Sequence, residues 1–172
     1  KYDDLDNGHD SNKGFKSLMH GDPPTVNTFD TFDDETDFIH DLLEKYEREN
    51  IDLRNVCLAA RTQRLLKQYE ERLAEAGFTV SRIKRSRADD PKQEGLRTAT
   101  MHRVKGIEFD YIIVAGVKDG TVPLSYEIDD QDNEYAVYES ENRERSLLYV
   151  AATRAKKGTT ITSHGTPSRF LR

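Results

Sequence analysis

The sequence predicts one α/β domain in which helices cover a parallel sheet, and three observations carry that expectation. From Thr25 onwards, short apolar runs alternate with amphipathic helical stretches, the pattern of strands linked by helical crossovers. Hydrophobic residues make up 35% of the chain and charged residues 34%, so the core must be concentrated in those few runs. A length of 172 residues suits one compact unit.

The first 24 residues are rich in Asp, Asn, Gly and Ser and end in Asp22-Pro23-Pro24, which reads as a flexible tail or linker ahead of a domain over 25–172. Val26 to Phe32 reads as a strand. Asp33-Asp34-Glu35 then places acidic residues at a helix start, and Phe38, Ile39, Leu42, Leu43 and Tyr46 recur at helical spacing, predicting a helix over 34–49. Val56 to Ala60 reads as a buried strand. The stripe Leu65, Leu66, Tyr69, Leu73 predicts a helix over 62–76 that faces the sheet and stops at Gly77, where a left-handed residue is needed. Phe78 to Ile83, Arg97 to Met101 and Phe109 to Ala115 read as further strands, with a loop over 84–95. The acidic stretch Glu127 to Glu144 reads as a solvated loop. An apolar helix is expected from Arg145 to Lys156, closed by Gly158, with a last strand from Thr159 to Ser163.

Composition narrows the function. The longest apolar run, Tyr111 to Val117, is strand-sized, so no membrane role is expected. The chain begins at Lys1 without a signal segment, which suggests a piece of a longer, cytoplasmic protein. Cys57, the single cysteine, lies inside an apolar run and reads as a small buried hydrophobe. The net charge of −6 is uneven: residues 1–50 hold 14 Asp/Glu against 5 Lys/Arg, whereas Arg82 to Lys105 holds eight basic residues against three acidic ones. That basic segment is a modest footprint for a phosphate backbone. His9, His20, His40, His102 and His164 are isolated in sequence, which argues against a zinc site. Neither G-x-x-x-x-G-K-[ST] nor G-x-S-x-G occurs, so the chain has no phosphate cradle of its own and no serine-hydrolase elbow.

Three constellations carry chemistry. The first is Thr100-Met101-His102-Arg103-Val104-Lys105-Gly106-Ile107-Glu108-Phe109, a strand end, a basic glycine-containing loop and a carboxylate at the next strand. It offers donors for phosphate and an acceptor for a sugar hydroxyl, at the carboxyl end of a strand where ligands of open α/β sheets gather. The second is Leu147-Leu148-Tyr149-Val150-Ala151-Ala152-Thr153-Arg154-Ala155-Lys156-Lys157, in which Arg154 projects from the end of a helix. A guanidinium held that way suits bidentate phosphate contact, although basic residues at a helix end also complement its dipole. The third is Arg61, directly after the strand Val56 to Ala60.

These residues resemble the UvrD/Rep-type superfamily 1 DNA helicases. Thr100 to Phe109 is similar to motif V, usually T-x-H-x-x-K-G-L-E-F, and Gly116-Val117-Lys118-Asp119-Gly120-Thr121-Val122-Pro123 to the G-x-x-x-G-x-x-P that follows it. Glu144 to Lys157 resembles motif VI, E-R-R-L-x-Y-V-A-x-T-R-A, with Ser146 in place of the second arginine, and Arg61 matches the arginine of motif IV, preceded by Ala60 where a tyrosine is common. The resemblance implies a RecA-like C-terminal motor domain, a P-loop NTPase fold without its own P-loop. It implies that Arg154 and Arg61 reach the γ-phosphate of ATP with Mg2+, both bound mainly by the N-terminal P-loop motor domain of the same parent chain. Gly106 and Glu108 would serve the nucleotide, with Glu108 accepting from the ribose. Thr100, His102 and Arg103 would touch single-stranded DNA, and translocation would run 3′ to 5′ in a DNA-repair helicase that this piece alone cannot drive. Two other readings share these motifs: an ATPase that remodels a nucleic-acid-bound complex such as RNA polymerase, and a degenerate, non-catalytic interaction domain.

Overall fold

The computed structural model describes residues 23–84, 90, 92–125 and 134–171. The expected tail over 1–24 lies almost wholly outside these residues, as do parts of the 84–95 and 127–144 loops. Six strands, β1 (Thr25–Phe29), β2 (Val56–Ala60), β3 (Val80–Arg82), β4 (Leu96–Thr100), β5 (Phe109–Ala115) and β6 (Ala155–His164), form one sheet in the order β1-β6-β5-β2-β4-β3. Every pairing is parallel. All carboxyl ends therefore lie along one edge of the sheet and all amino ends along the other.

Alternation of side chains along the strands sorts the core into two layers. Leu58 and Ala60 of β2, Leu96 of β4 and Ile113 and Ala115 of β5 face helices α1 (Phe32–Arg48) and α2 (Gln63–Glu75), packing against Ile39, Leu43, Leu66, Tyr69 and Leu73. Cys57, Ala59, Ala99, Ile112, Val114 and Ile161 point the other way, onto Leu148 and Ala151 of helix α3 (Glu134–Ala152) and onto Met101, Val104 and Val117. Burial on both faces is why β2 reads as a continuous apolar run, and in β4 it encloses Arg97, Thr98 and Thr100 along with Leu96 and Ala99.

The element starts follow from local chemistry. Thr31 caps α1: its side chain accepts from the Asp34 backbone while Asp34 accepts from the Thr31 backbone, a reciprocal box that places the first turn at Phe32 and ends β1 at Phe29. Thr62 caps α2 by accepting from Leu65 N–H at 3.2 Å. Gly77 takes φ +96° after α2, as its place in the sequence requires.

Two expectations need correction. Helical structure begins at Glu134, inside the acidic stretch read as a loop, because Ser140 and Glu144 turn inward on the same face as Leu148 and Ala151. The helix also ends at Ala152, short of Lys156, and Gly158 lies within β6. At Gly158 a Cβ would meet the Tyr111 ring at 3.2 Å, so this glycine admits an aromatic neighbour across the sheet and caps nothing.

Candidate functional site

The register places the candidate residues on two opposite edges. Ala60 pairs with Thr100 on one side and with Ala115 on the other, so Arg61, Met101 and Gly116 leave the carboxyl edge side by side. At the amino edge Phe109 pairs with Ala155, and Phe109 N–H donates to the Arg154 carbonyl at 3.0 Å. Glu108 and Arg154 are thus neighbours there, and Glu108 pairs with Lys156 at 3.1 Å.

The connection 101–108 runs from one edge to the other. It leaves β4 at the carboxyl edge and enters β5 at the amino edge, crossing a sheet that five-residue strands make about 16 Å deep. Met101 and Val104 are fully buried in the core along the way, so the crossing is packed in place. Arg103 N–H donates to the Thr100 carbonyl at 2.7 Å, and Gly106 takes φ +85° in open space. The Thr100 side chain is itself buried, whereas His102 is exposed and Arg103 half-buried. Arg103 Nε is sequestered from solvent with no hydrogen-bond partner among the described residues.

Arg61 and Arg154 do not come together. Arg61 follows β2 at the carboxyl edge, is only 7% exposed, and forms a two-point ion pair with Glu144: Nε to Oε2 at 2.9 Å and Nη2 to Oε1 at 2.7 Å. Arg154 stands at the far end of β6, roughly 20 Å from the carboxyl edge along the strand. Its Nε donates to the Val150 carbonyl at 3.2 Å, and among the described residues its terminal nitrogens make no ion pair. The two arginines expected at one phosphate thus leave the sheet at opposite edges. Lys156 and Lys157 are not helix-end charges: they lie on β6 and pair with Glu108 and Asp110.

A second polar cluster escaped sequence reasoning. Glu35, in the first turn of α1, is completely buried, and its carboxylate accepts from Tyr69 Oη at 2.7 Å, from Gly116 N–H at 2.9 Å and from His164 Nδ1. His164 Nε2 in turn lies 2.8 Å from Lys118 Nζ. Burial, and then the Glu35 charge, push the Tyr69 phenol well above its usual range. Gly116, at φ +69°, has no room for a Cβ, which would lie 2.6 Å from Leu65 Cδ2. Asp33-Asp34-Glu35 read as a uniform acidic helix start, yet only Glu35 faces inward, and nothing local to residue 164 distinguishes it from other isolated histidines. His40 likewise has company, with ligand atoms of Asp41 and Glu44 within 4.8 Å on the surface of α1.

Beside this cluster a carboxyl-edge cavity of about 380 Å³ is lined by Thr62, Arg64, Gln68, Lys118 and Thr121 together with Leu65 and Leu124. It carries two basic side chains and no carboxylate. No helix of the described residues is long and apolar enough to cross a membrane.

The site is thus a parallel α/β domain whose packed connection 101–108 joins the carboxyl edge to an amino edge bearing Arg154, Glu108 and Gly106. The family model described as the UvrD-like helicase C-terminal domain matches residues 81–166, half of the chain, and the chain belongs to that family. It is 39% identical over 66 residues to the ATP-dependent DNA helicase UvrD2 of Mycobacterium tuberculosis, a match covering 38% of this chain and 9% of that protein. With the ATP-dependent DNA helicase Rep of Escherichia coli the identity is 30% over 105 residues, covering 55% of this chain and 14% of that protein. The matches thus span a small fraction of these relatives. Among solved structures, the C-terminal domain of a possible DNA helicase from Lactobacillus plantarum superposes with TM-score 0.64 at 22% identity, covering 88% of this chain and 80% of that one. The SWI2/SNF2 ATPase core of Sulfolobus solfataricus superposes with TM-score 0.54 at 16% identity, over 84% of this chain and 28% of that one. Both likenesses bear on the fold alone.

Proposed function

We propose that this chain is the second motor domain of an ATP-dependent DNA helicase or translocase, with its amino edge turned to nucleotide on a P-loop partner domain and its carboxyl edge turned to single-stranded DNA. The observation that carries this reading is the strap 101–108, packed across the sheet between exposed His102 at one edge and Glu108 beside Arg154 at the other.

The amino-edge groups fit a nucleotide. Arg154 has terminal donors to spare for a γ-phosphate, Glu108 is 62% exposed and can exchange Lys156 for a ribose hydroxyl, and Gly106 lets a backbone approach closely. ATP with Mg2+, held mainly by the partner domain, supplies the phosphoanhydride whose cleavage drives the motor. Arg154 stabilises charge on the transferring group. Arg61 fits a different role: clamped to Glu144, it ties the end of β2 to the middle of α3 and acts on the nucleotide through that helix.

At the carboxyl edge His102 is exposed to meet a strand, with the half-buried Arg103 beside it. Thr100 contributes its carbonyl to the turn that holds Arg103. Relative motion of the two motor halves, set by whether nucleotide bridges Arg154 to the partner, passes along the strap and α3 to this edge. The 3′-to-5′ direction is carried over from the resemblance.

The test is DNA-stimulated ATP hydrolysis by the protein with its P-loop half. Arg154→Ala is expected to lower kcat about a thousandfold. Unchanged turnover would overturn the assignment and favour a non-catalytic domain.

A further inference from the structure

The Glu35 cluster leads to a second seat on the carboxyl edge. A lysine ammonium has donors only, so the contact between Lys118 Nζ and His164 Nε2 at 2.8 Å makes Nε2 the acceptor. The ring proton therefore sits on Nδ1 and is donated to Glu35. Glu35 accepts this proton's hydrogen bond together with those of the Tyr69 hydroxyl and the Gly116 amide, so three groups converge on its buried carboxylate. The result is an ordered chain, anion to neutral imidazole to cation, in which every member but Lys118 is buried. It spends one donor of Lys118 and leaves the others at the cavity, where Arg64 makes no ion pair among the described residues.

We infer that His164, held by Glu35, is a positioning residue that aims Lys118 into this cavity, and that Lys118 and Arg64 there seat one phosphodiester phosphate of a single DNA strand. Beside the apolar Leu65 and Leu124, the polar groups of the cavity suit that ligand: two cations, the hydroxyls of Thr62 and Thr121, the amide of Gln68 and no competing carboxylate. The inference rests on the reading of the carboxyl edge as the strand-binding one. It assigns to that edge a contact outside the 101–108 strap, in which a histidine unremarkable in sequence sets the direction of a lysine.

The experiment measures binding of a fluorescent oligo-dT to the 172-residue chain by anisotropy over a low-salt series. Lys118→Met removes one phosphate contact and should flatten the slope of log K against log[salt] by about 0.7. His164→Asn keeps an N–H for Glu35 in place of Nδ1 but has no atom at the position of Nε2, the acceptor that Lys118 now uses. It should weaken binding several-fold with the salt slope unchanged, because the charge count is unchanged, and should leave the melting temperature within about 2 °C, a shift equivalent to no more than about 1 kcal/mol. His102→Ala serves as the reference for the strap. If His102→Ala weakens binding while Lys118→Met and His164→Asn leave affinity and slope untouched, the seat is wrong and the strand-binding edge stands. If wild-type chain binds no strand, or if none of the three changes matters, both fall.

Discussion

Arg61 and Glu144, 83 residues apart in sequence, meet in a buried ion pair with both guanidinium contacts under 3 Å, joining the end of β2 to the middle of α3. Two charges so enclosed gain little net stability from each other, but removing one leaves the other stranded. Arg61→Ala or Glu144→Ala should therefore cost about 3–5 kcal/mol in urea denaturation. The apolar double replacement Arg61→Met with Glu144→Met should cost less than either single change. Single changes that cost below about 1 kcal/mol would show the pair to be solvated.

Two glycines separate backbone strain from steric exclusion. At Gly106, φ +85° surrounds a would-be Cβ with open space, so Gly106→Ala should cost only the conformational strain of a left-handed alanine, about 1–2 kcal/mol. At Gly116 the same strain is joined by contact with Leu65 at 2.6 Å and the Tyr69 hydroxyl at 3.0 Å. Gly116→Ala should cost at least about 3 kcal/mol, since the core there has to shift as well. Equal losses at the two positions, read from urea midpoints, would contradict this packing.

Alkaline pH should destabilise the fold. Burial raises the Cys57 thiol from its ordinary 9.0 and the Tyr69 phenol from its ordinary 10.0, so both keep their protons in the folded chain while the unfolded chain releases them. The folded state then binds more protons, and stability falls as pH rises through the unfolded values, by up to about 1.4 kcal/mol per pH unit for each group. Melting temperature should be level with respect to these two groups below pH 9 and decline above it, and Cys57 should resist thiol reagents until the chain unfolds. Rapid modification of the native chain would place Cys57 at the surface.

Much of this fold was legible in sequence because the apolar periodicity and the caps agree. β2 and β5 fall where their runs begin and end, and Leu65, Leu66, Tyr69 and Leu73 are the buried face of α2. The carboxyl-terminal third was less so. Gly158 reads as a helix stop, yet it lies within β6, where a Cβ would press on the Tyr111 ring of the neighbouring strand at 3.2 Å. The acidic run before motif VI reads as solvated, yet Glu144 is drawn inward by an arginine far upstream. The same limit applied to the site. Motif spacing marked Thr100 to Glu108 and Arg154, but only strand register shows that Arg61 and Arg154 occupy opposite edges. Glu35, His164 and Lys118 assemble through three separate elements, and no local pattern announces such a meeting.

The division of labour between the two edges is tested most directly by measuring, on the protein with its P-loop half, both ATPase kcat and single-strand Kd for Arg154→Ala and His102→Ala. Arg154→Ala should lower turnover about a thousandfold and leave strand affinity within about twofold, as expected for a group acting only on the nucleotide. His102→Ala should weaken strand affinity by about tenfold, within the range of one lost stacking contact, and spare hydrolysis in the absence of DNA. If both variants lose turnover and affinity alike, or if Arg154→Ala loses strand binding and keeps turnover, nucleotide and strand are not served by opposite edges of this sheet.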